Sequence, residues 1–221
     1  MMNTLLAFYH QLLARYGPQG WWPLLSHPGA SSTPNSIRGI YHPGHYDLPS
    51  TREQRFEICI GAILTQNTAW RSVEKALINL LQIKALHPEG LDALNETQLK
   101  EAIRPSGYFN QKAIKIRSFT AFFLALEERT PSREELLALW GIGPETADSM
   151  LLYAFKVPTF VVDAYTRRVL SSTGWISGTE SYDSIKNLFE KQLPHDLALF
   201  QEYHALFVEH AKQECTSHDR R

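Results

Sequence analysis

The chain has 221 residues, which is enough for one large domain or two small ones with a sizeable core. Hydrophobic residues make up 43% of it and charged residues 20%, as in a soluble globular protein, and no apolar run reaches the roughly 18 residues of a membrane span. The formal net charge of −1 gives no overall basic character, so any binding to nucleic acid must come from a local arrangement of residues.

The first segment, residues 1–17, has the periodicity of an amphipathic helix. Its apolar positions are Leu5, Phe8, Leu12 and Leu13. It lacks a basic start and a small-residue cleavage site, so we do not interpret it as a signal peptide. The two cysteines, Cys59 and Cys215, are too few for a disulfide framework, and we expect a reducing cytoplasmic location.

A long irregular segment follows over residues 17–50, and proline, glycine, serine and histidine dominate it. A connection of this length is uncommon in a compact domain and is usually functional or mobile. It contains Trp21 and Trp22, two large aromatic residues that a passive solvated linker does not need.

From residue 51 onward, apolar residues recur at helical spacing along most of the chain. Residues 91–103 hold either two short helices or one broken helix. Only TFVVD, residues 159–163, has the pattern of a strand, so the predicted fold class is all-α. The capping residues that we expect at helix starts are Ser50 with Glu53, Asn95 or Thr97, Asn110, and Ser132 with Glu135.

The stretch LWGIG followed by PETADSMLLYAF has the pattern of a helix–hairpin–helix. Gly141 and Gly143 allow a tight turn, and Pro144 suits the first position of the second helix. Backbone amides at the start of that helix would form an anion site suited to one DNA phosphate. The alternative is an ordinary helix end followed by a turn, because so short a motif has a high false-positive rate.

The longer stretch LWGIGPETADSMLLYAFKVPTFVVDAYTRRVL resembles the helix–hairpin–helix, Gly/Pro-rich loop and aspartate signature of the endonuclease III superfamily of DNA glycosylases. The resemblance extends through GAILTQNTAW, RPSGYFNQKA and HALFVEHAKQEC, and covers Arg55 to Cys215. The stretches YGPQGWWP and LTQNT are similar to the branch that contains 3-methyladenine DNA glycosylases of endonuclease III type.

This resemblance implies a two-domain all-α fold. Residues 51–158 would form a six-helix domain, and residues 1–50 and 159–221 would form a second helical domain. The DNA groove and the base pocket would lie between the two. The implied partner is double-stranded DNA with a damaged base flipped out of the stack, and we expect a monomer.

Asp163 matches the catalytic aspartate of the family. A carboxylate beside the sugar stabilises the positive charge that builds up as an N-glycosidic bond breaks, and it can orient or deprotonate a water molecule. The alternative is that Asp163 only caps the next helix. Glu145 occupies the position of the lysine that forms a Schiff base in bifunctional members, so we predict a monofunctional glycosylase.

The resemblance also indicates residues that contact the flipped base and the duplex. Gln66 matches the residue that fills the gap in the stack, and Trp70, one helical turn further on, should share its face. Trp70, Trp21 and Trp22 could stack on a cationic alkylated purine, and each could equally belong to the core. The remaining candidates are Lys212 for the pocket, and Asn67, Gly141, Gly143, Glu145, Thr146 and Arg167 for DNA.

Many relatives hold an iron–sulfur cluster on four cysteines that follow EH-x-K, and only Cys215 matches a ligand here. We therefore predict neither a cluster nor another metal. The predicted function is hydrolysis of the bond to a damaged base, an alkylated purine, in base excision repair. The alternatives are a glycosylase and lyase for oxidised pyrimidines or mismatches, and a DNA-binding module without catalysis.

Overall fold

The computed structural model describes residues 4–26 and 41–218, with side chains up to residue 214. The described part is helical and contains no β-strand, so the predicted all-α class is confirmed. No described helix is long and apolar enough to cross a membrane. The α-helices are α1 (Thr4–Tyr16), α2 (Arg52–Leu64), α3 (Trp70–Gln82), α4 (Pro88–Ala93), α5 (Glu96–Ile103), α6 (Phe109–Ala125), α7 (Arg133–Leu137), α8 (Pro144–Ser149), α9 (Ala164–Ser172), α10 (Tyr182–Gln192) and α11 (Leu197–His218).

One hydrophobic core runs through all of the described helical part. It includes residues of α1 such as Leu5, of α2 such as Phe56, and of α11 such as Phe207. The first and last helices pack together, and the Tyr203 hydroxyl donates a 2.8 Å hydrogen bond to the carbonyl oxygen of Leu5. Because this core is continuous, the domain boundary that we place at residue 158 stays a prediction.

A buried ion pair joins the helices on either side of the hairpin. Asp148 on α8 is fully buried, and its two carboxylate oxygens accept hydrogen bonds of 2.9 and 3.1 Å from Arg133 on α7. Lys186 on α10 lies 3.8 Å from the same carboxylate. A buried carboxylate is stable only when paired and hydrogen-bonded, so this contact fixes α7 and α10 against α8. Helix α8 continues as a π-helical turn over Met150–Ala154.

Two of the predicted helix starts are confirmed and two are wrong. Asn95 and Ser132 each form a complete capping box. The cap of α2 is Thr51 rather than Ser50, because the Thr51 side chain accepts from the Gln54 amide while the Gln54 side chain accepts from the Ser50 amide. The segment 91–103 is the end of α4, a break and α5, and Thr97 lies inside α5.

Helix α6 does not begin at Asn110. It begins at Phe109, after Gly107 and Tyr108, which both have positive φ. The Lys112 amide donates to the Tyr108 carbonyl, so the N-cap is Tyr108, two residues earlier than the predicted Asn110.

The predicted strand at residues 159–163 is also wrong. The segment has no regular secondary structure, because side chains of α10 take the place of a partner strand. The Phe160 amide donates to the Glu190 carboxylate at 2.8 Å, and the Val162 amide donates to the Tyr182 hydroxyl at 3.4 Å. Its apolar side chains are buried in the core, and the segment delivers Asp163 to the start of α9.

Candidate active site

Asp163 is the N-cap residue of α9. Its Oδ1 atom accepts a 2.7 Å hydrogen bond from the Thr166 amide, and 14% of the side chain is exposed. Burial raises the pKa of Asp163, but the facing imidazole of His204 and the Thr166 amide outweigh burial and lower it below its usual value. The side chain therefore forms the predicted cap and also presents an ionised, partly accessible carboxylate, which a catalytic role requires.

His204 faces Asp163 from α11, although we do not single out this residue in the sequence. Its Nε2 atom lies 3.5 Å from Oδ2 of Asp163, and its Nδ1 atom lies 2.7 Å from the Tyr153 hydroxyl. The His204 side chain is 4% exposed, and no described group forms a well-aligned hydrogen bond with Nε2. A histidine in an apolar helix is usually a core residue, and only the tertiary contact with Asp163 sets this one apart.

Aromatic rings join the carboxylate to the segment that carries the two tryptophans. The Trp21 ring lies 5.6 Å from that of His204 and is perpendicular to it. The Trp22 ring lies 5.4 Å from that of Tyr153 and 5.7 Å from that of Trp70. Trp22 is 6% exposed and belongs to the core, whereas Trp21 is partly exposed. Trp21 is therefore the more accessible of the pair.

Two buried carboxylates hold the backbone around Trp21 and Trp22. Glu202 on α11 accepts from the amides of Gln19 and Gly20, at 2.7 and 3.2 Å. Glu57 on α2 accepts from the amides of Leu25 and Ser26, at 2.5 and 3.3 Å. Each carboxylate thus binds two consecutive amides, one pair before the tryptophans and one pair after them.

The burial of these two carboxylates has an electrostatic consequence. Burial raises the pKa of both Glu57 and Glu202, and the hydrogen bonds from the segment oppose this rise. The segment therefore supplies the amides that compensate two buried acids, and its position is fixed by both sides of the core. The rest of the predicted irregular segment, residues 27–40, lies outside the described residues.

Gln66 and Trp70 do not lie on one helix, so the predicted sharing of a helical face is wrong. Helix α2 ends at Leu64 and α3 begins at Trp70, which leaves Gln66 in the connecting turn. Residue spacing along one helix does not apply across that break. Asn67 follows Gln66 with a φ of 53° and is exposed, and the C-cap of α2 is Thr65.

The Gln66 side chain is bound to the hairpin. Its Nε2 atom donates to the Gly141 carbonyl at 3.1 Å and to the Thr146 hydroxyl at 3.0 Å. Its Oε1 atom accepts from the Lys115 ammonium. Thr146, which we predict to contact DNA, is buried, and its hydroxyl receives Gln66 in this structure.

The hairpin itself has the predicted geometry. Gly141 has a φ of 78°, a backbone conformation that favours glycine, and the flexible Lys115 side chain packs against it. Gly143 is the N-cap of α8, and Pro144 is its first residue. Both glycines are exposed, which leaves the turn accessible to a phosphate.

The remaining charged candidates are Glu145, Arg167 and Lys212, and the charge of Asp163 acts on Glu145 and Lys212. Burial raises the pKa of Glu145, and the negative charge of Asp163 raises it further, although part of the Glu145 residue is exposed. Arg167 donates a 2.9 Å hydrogen bond to the Glu180 carbonyl. The Lys212 ammonium lies 5.9 Å from the centre of the Tyr165 ring. Burial lowers the pKa of Lys212, whereas the nearby carboxylates, including Asp163, raise it.

The expected absence of an iron–sulfur cluster stays a prediction. Such a cluster needs four thiolates, and the chain has two cysteines. Cys59 is fully buried in α2, and burial raises the pKa of its thiol well above the usual value. The side chain of Cys215 lies outside the described residues.

Sequence comparisons identify relatives in DNA repair. A profile described as HhH-GPD superfamily base excision DNA repair protein matches residues 60–195. A Methanocaldococcus jannaschii protein with the provisional name DNA repair glycosylase is 41% identical over 218 residues, which are 94% of this chain and 86% of the relative. The endonuclease III of Thermotoga maritima is 32% identical over 144 residues, which are 64% of this chain and 67% of the relative.

Solved structures have the same fold. The H. pylori 3-methyladenine DNA glycosylase MagIII, bound to 1,N6-ethenoadenine, superposes with a TM-score of 0.64 at 28% identity over 76% of this chain and 92% of that chain. A non-covalent endonuclease III–DNA complex superposes with a TM-score of 0.70 at 19% identity, over 94% and 85% of the two chains. The predicted resemblance to glycosylases of the endonuclease III superfamily is thereby confirmed. The chain belongs to the HhH-GPD superfamily of base excision DNA repair proteins.

Proposed function

We propose that the chain is a monofunctional DNA glycosylase that removes an alkylated purine from double-stranded DNA. In this reaction the bond between C1′ of the deoxyribose and the base nitrogen breaks, and the electron pair leaves with the base. The oxygen of a water molecule then bonds to C1′ and loses a proton, which leaves an abasic site. A cationic base departs as a neutral molecule, so it needs no strong general acid.

The environment of Asp163 is the observation that carries this proposal. Its carboxylate is ionised and partly accessible, and its Oδ1 atom accepts a hydrogen bond from the Thr166 amide. Such a group stabilises the positive charge that develops on the sugar, because a fixed charge in a partly dry site acts more strongly than one in water.

The aromatic cluster supports the choice of an alkylated purine. Electron-rich indole faces attract a cationic ring, and Trp21 is the partly exposed tryptophan nearest to the His204 ring that faces Asp163. MagIII, whose fold is similar, is named as a 3-methyladenine DNA glycosylase and was solved with ethenoadenine bound. Trp22 would support the pocket from the core, and Trp70 would close it behind Trp22.

Glu145 supports a monofunctional reaction. A carboxylate cannot form the Schiff base that leads to strand cleavage, and this residue stands where bifunctional relatives have lysine. The competing function is a glycosylase and lyase for oxidised pyrimidines or mismatches, and the Thermotoga endonuclease III similarity favours it. In either case DNA is the partner, with the base flipped out and one phosphate on the hairpin.

We also propose that the enzyme works as a monomer without a metal or an iron–sulfur cluster, in the cytoplasm. The cysteine count supports the absence of a cluster, because two thiols cannot replace four. Its activity would then withstand a chelator.

The proposal is tested with duplexes that carry 3-methyladenine, ethenoadenine or thymine glycol, each incubated with the protein and split into samples with and without hot alkali. We expect release of the alkylated adenine and strand breaks only after alkali. Asp163→Asn should bind the duplex normally and lose base release by about 1000-fold. Asp92→Asn, at an exposed aspartate of α4, is the matched control and should behave like the wild type.

Each alternative gives a different result in the same assay. Strand breaks without alkali would overturn the monofunctional assignment, and preference for thymine glycol would favour the oxidised-pyrimidine enzyme. DNA binding without base release from any of the duplexes, in wild type and Asp163→Asn alike, would indicate a non-catalytic binding module.

A further inference from the structure

His204 sits between Tyr153 and Asp163 and contacts both. The Tyr153 hydroxyl lies 2.7 Å from Nδ1 of His204 and 3.1 Å from the carbonyl oxygen of Gln201. On its other side, the imidazole turns Nε2 toward Oδ2 of Asp163 at 3.5 Å. All three side chains are largely buried, so water does not freely replace these contacts.

The donors and acceptors of Tyr153, His204 and Asp163 determine which of their atoms carry protons. If the Tyr153 hydroxyl donates to Gln201, then Nδ1 of His204 must donate to Tyr153, and a bare Nε2 would face the Asp163 carboxylate repulsively. An N–H group on Nε2 as well as on Nδ1 removes this repulsion. If Tyr153 instead donates to Nδ1, the neutral ring carries its proton on Nε2. Both arrangements direct an N–H group at Asp163.

We propose that His204, oriented by Tyr153, is a positioning residue for Asp163, and that it holds this carboxylate ionised and fixed in rotation for cleavage of the glycosidic bond. This inference rests on the proposed function. We assign His204 no contact with the substrate, because its side chain is 4% exposed whereas that of Asp163 is 14% exposed.

The Asp163 carboxylate needs both the Thr166 amide and His204 to fix its orientation. The Thr166 amide binds only Oδ1, and a single hydrogen bond leaves the carboxylate free to rotate about its side-chain bonds. His204 approaches Oδ2 from a different helix and restricts that rotation. At 3.5 Å the contact is loose, so Oδ2 keeps a lone pair for the sugar or for water. A weak contact of this kind leaves Asp163 able to interact with the positive charge that develops on the sugar.

The same imidazole supports the base pocket. Trp21 packs its ring perpendicular to that of His204, and the Tyr153 ring contacts both Trp21 and Trp22. A base stacked on Trp21 would therefore lie next to a side chain that contacts His204, the residue that orients Asp163. His204 and Tyr153 thus contact both the tryptophans of the proposed pocket and, through His204, the Asp163 carboxylate.

Other charged groups also act on this site, and the test must separate them. Glu145 on α8 and Lys212 on α11 act on Asp163 through their charges. Arg167 on α9 acts on Glu145, and Glu202 on α11 acts on Tyr153. All four stay in place when only His204 or Tyr153 is changed.

The decisive measurement is a titration of the Asp163 carboxyl carbon by NMR, in free protein labelled with 13C and assigned through Asp163→Asn. His204→Met removes the facing N–H at similar volume and should raise the pKa of Asp163. Tyr153→Phe should raise it less, because the ring stays but loses its orienting partner. An Asp163 pKa that is the same in wild type and in a folded Tyr153→Phe or His204→Met protein would overturn the inference.

Kinetics provide the second readout. The single-turnover rate of base release should fall about 10- to 100-fold in His204→Met, while the dissociation constant for DNA stays within about twofold. His204→Gln keeps a donor near the same place and should recover part of the rate. In an Asp163→Asn background, His204→Met should cause no further loss, because a positioning residue acts only through its target.

Tyr203, a buried tyrosine on α11, gives the matched control for Tyr153. Tyr203→Phe also removes a buried hydroxyl, which donates to Leu5, and it should lower the melting temperature without changing the Asp163 pKa or the rate. If Tyr153→Phe only lowers stability in the same way, its role is structural and the inference fails. If the wild type releases no base, the proposed function fails, and the NMR titration still decides whether His204 holds Asp163.

Discussion

Gln66 donates a 3.1 Å hydrogen bond from Nε2 to the carbonyl oxygen of Gly141, which joins the turn after α2 to the tip of the hairpin. The same amide group also donates to Thr146 and accepts from Lys115. The carboxamide that we predict to fill the gap in the DNA stack therefore has three partners in the free protein. Its entry into the duplex must exchange these bonds for contacts with DNA.

We expect Gln66→Ala to slow base release by about 10-fold when the damaged base is paired, since nothing then fills the gap left by the flipped base. The loss should be smaller for a mismatched base, whose flipping costs less. Single-turnover rates on matched and mismatched duplexes measure the difference. Gln82→Ala, at an exposed position of α3, is the control, and equal losses on both duplexes would contradict a gap-filling role.

The helix boundaries show how far local patterns determine this fold. Asn95 and Ser132 are predicted correctly because a capping box uses only groups within four residues. Ser50 and Asn110 are predicted wrongly because the observed N-caps lie one and two residues away, at Thr51 and Tyr108. Local sequence therefore predicts the helices well and their first residues less well.

The site was predictable to the extent that a motif carries it. Asp163 and Glu145 are identified by their position after the hairpin, and Trp21 by its unusual place in a loop. His204 and Tyr153 are not, because each looks like an ordinary residue of an apolar helix. Only the packing of α11 against the π-helical turn brings them together beside Asp163.

Trp21→Ala should weaken the binding of a cationic alkylated base by about 10-fold and of a neutral base by less, because cation–π attraction adds to stacking. Quenching of tryptophan fluorescence by free 3-methyladenine measures the affinity. Trp175→Phe changes a tryptophan that packs on Phe8 instead, and it should keep the wild-type affinity. The pocket assignment is wrong if Trp21→Ala binds both bases as the wild type does.

Glu145→Lys should introduce strand cleavage, because an amine at this position can attack the sugar and form a Schiff base. The product is measured as strand breaks without alkali and as a protein–DNA adduct trapped by borohydride. Glu134→Lys makes the same charge change at an exposed position of α7 and should trap nothing. If folded, DNA-binding Glu145→Lys protein forms no adduct, then this residue does not occupy the place of the catalytic lysine.

Lys112 predicts a pH dependence of stability. Its buried ammonium donates to the Leu64 and Ser106 carbonyls and to the Thr68 hydroxyl, at 2.7, 2.8 and 2.7 Å. Burial, with the charge of Lys115, lowers its pKa from 10.5 to about 8. Between these values the unfolded chain binds more protons than the folded one, so the free energy of unfolding should rise with pH.

Lys112→Met should remove this rise and lower the free energy of unfolding at pH 7 by about 3 kcal/mol, since it leaves buried acceptors without a donor. Urea unfolding at pH 7, 8, 9 and 10 measures both effects. Lys75→Met, at an exposed lysine of α3, should retain the wild-type slope. Other titrating groups contribute equally to all three proteins, so the difference between their slopes isolates Lys112, and parallel slopes would show that its ammonium is not desolvated.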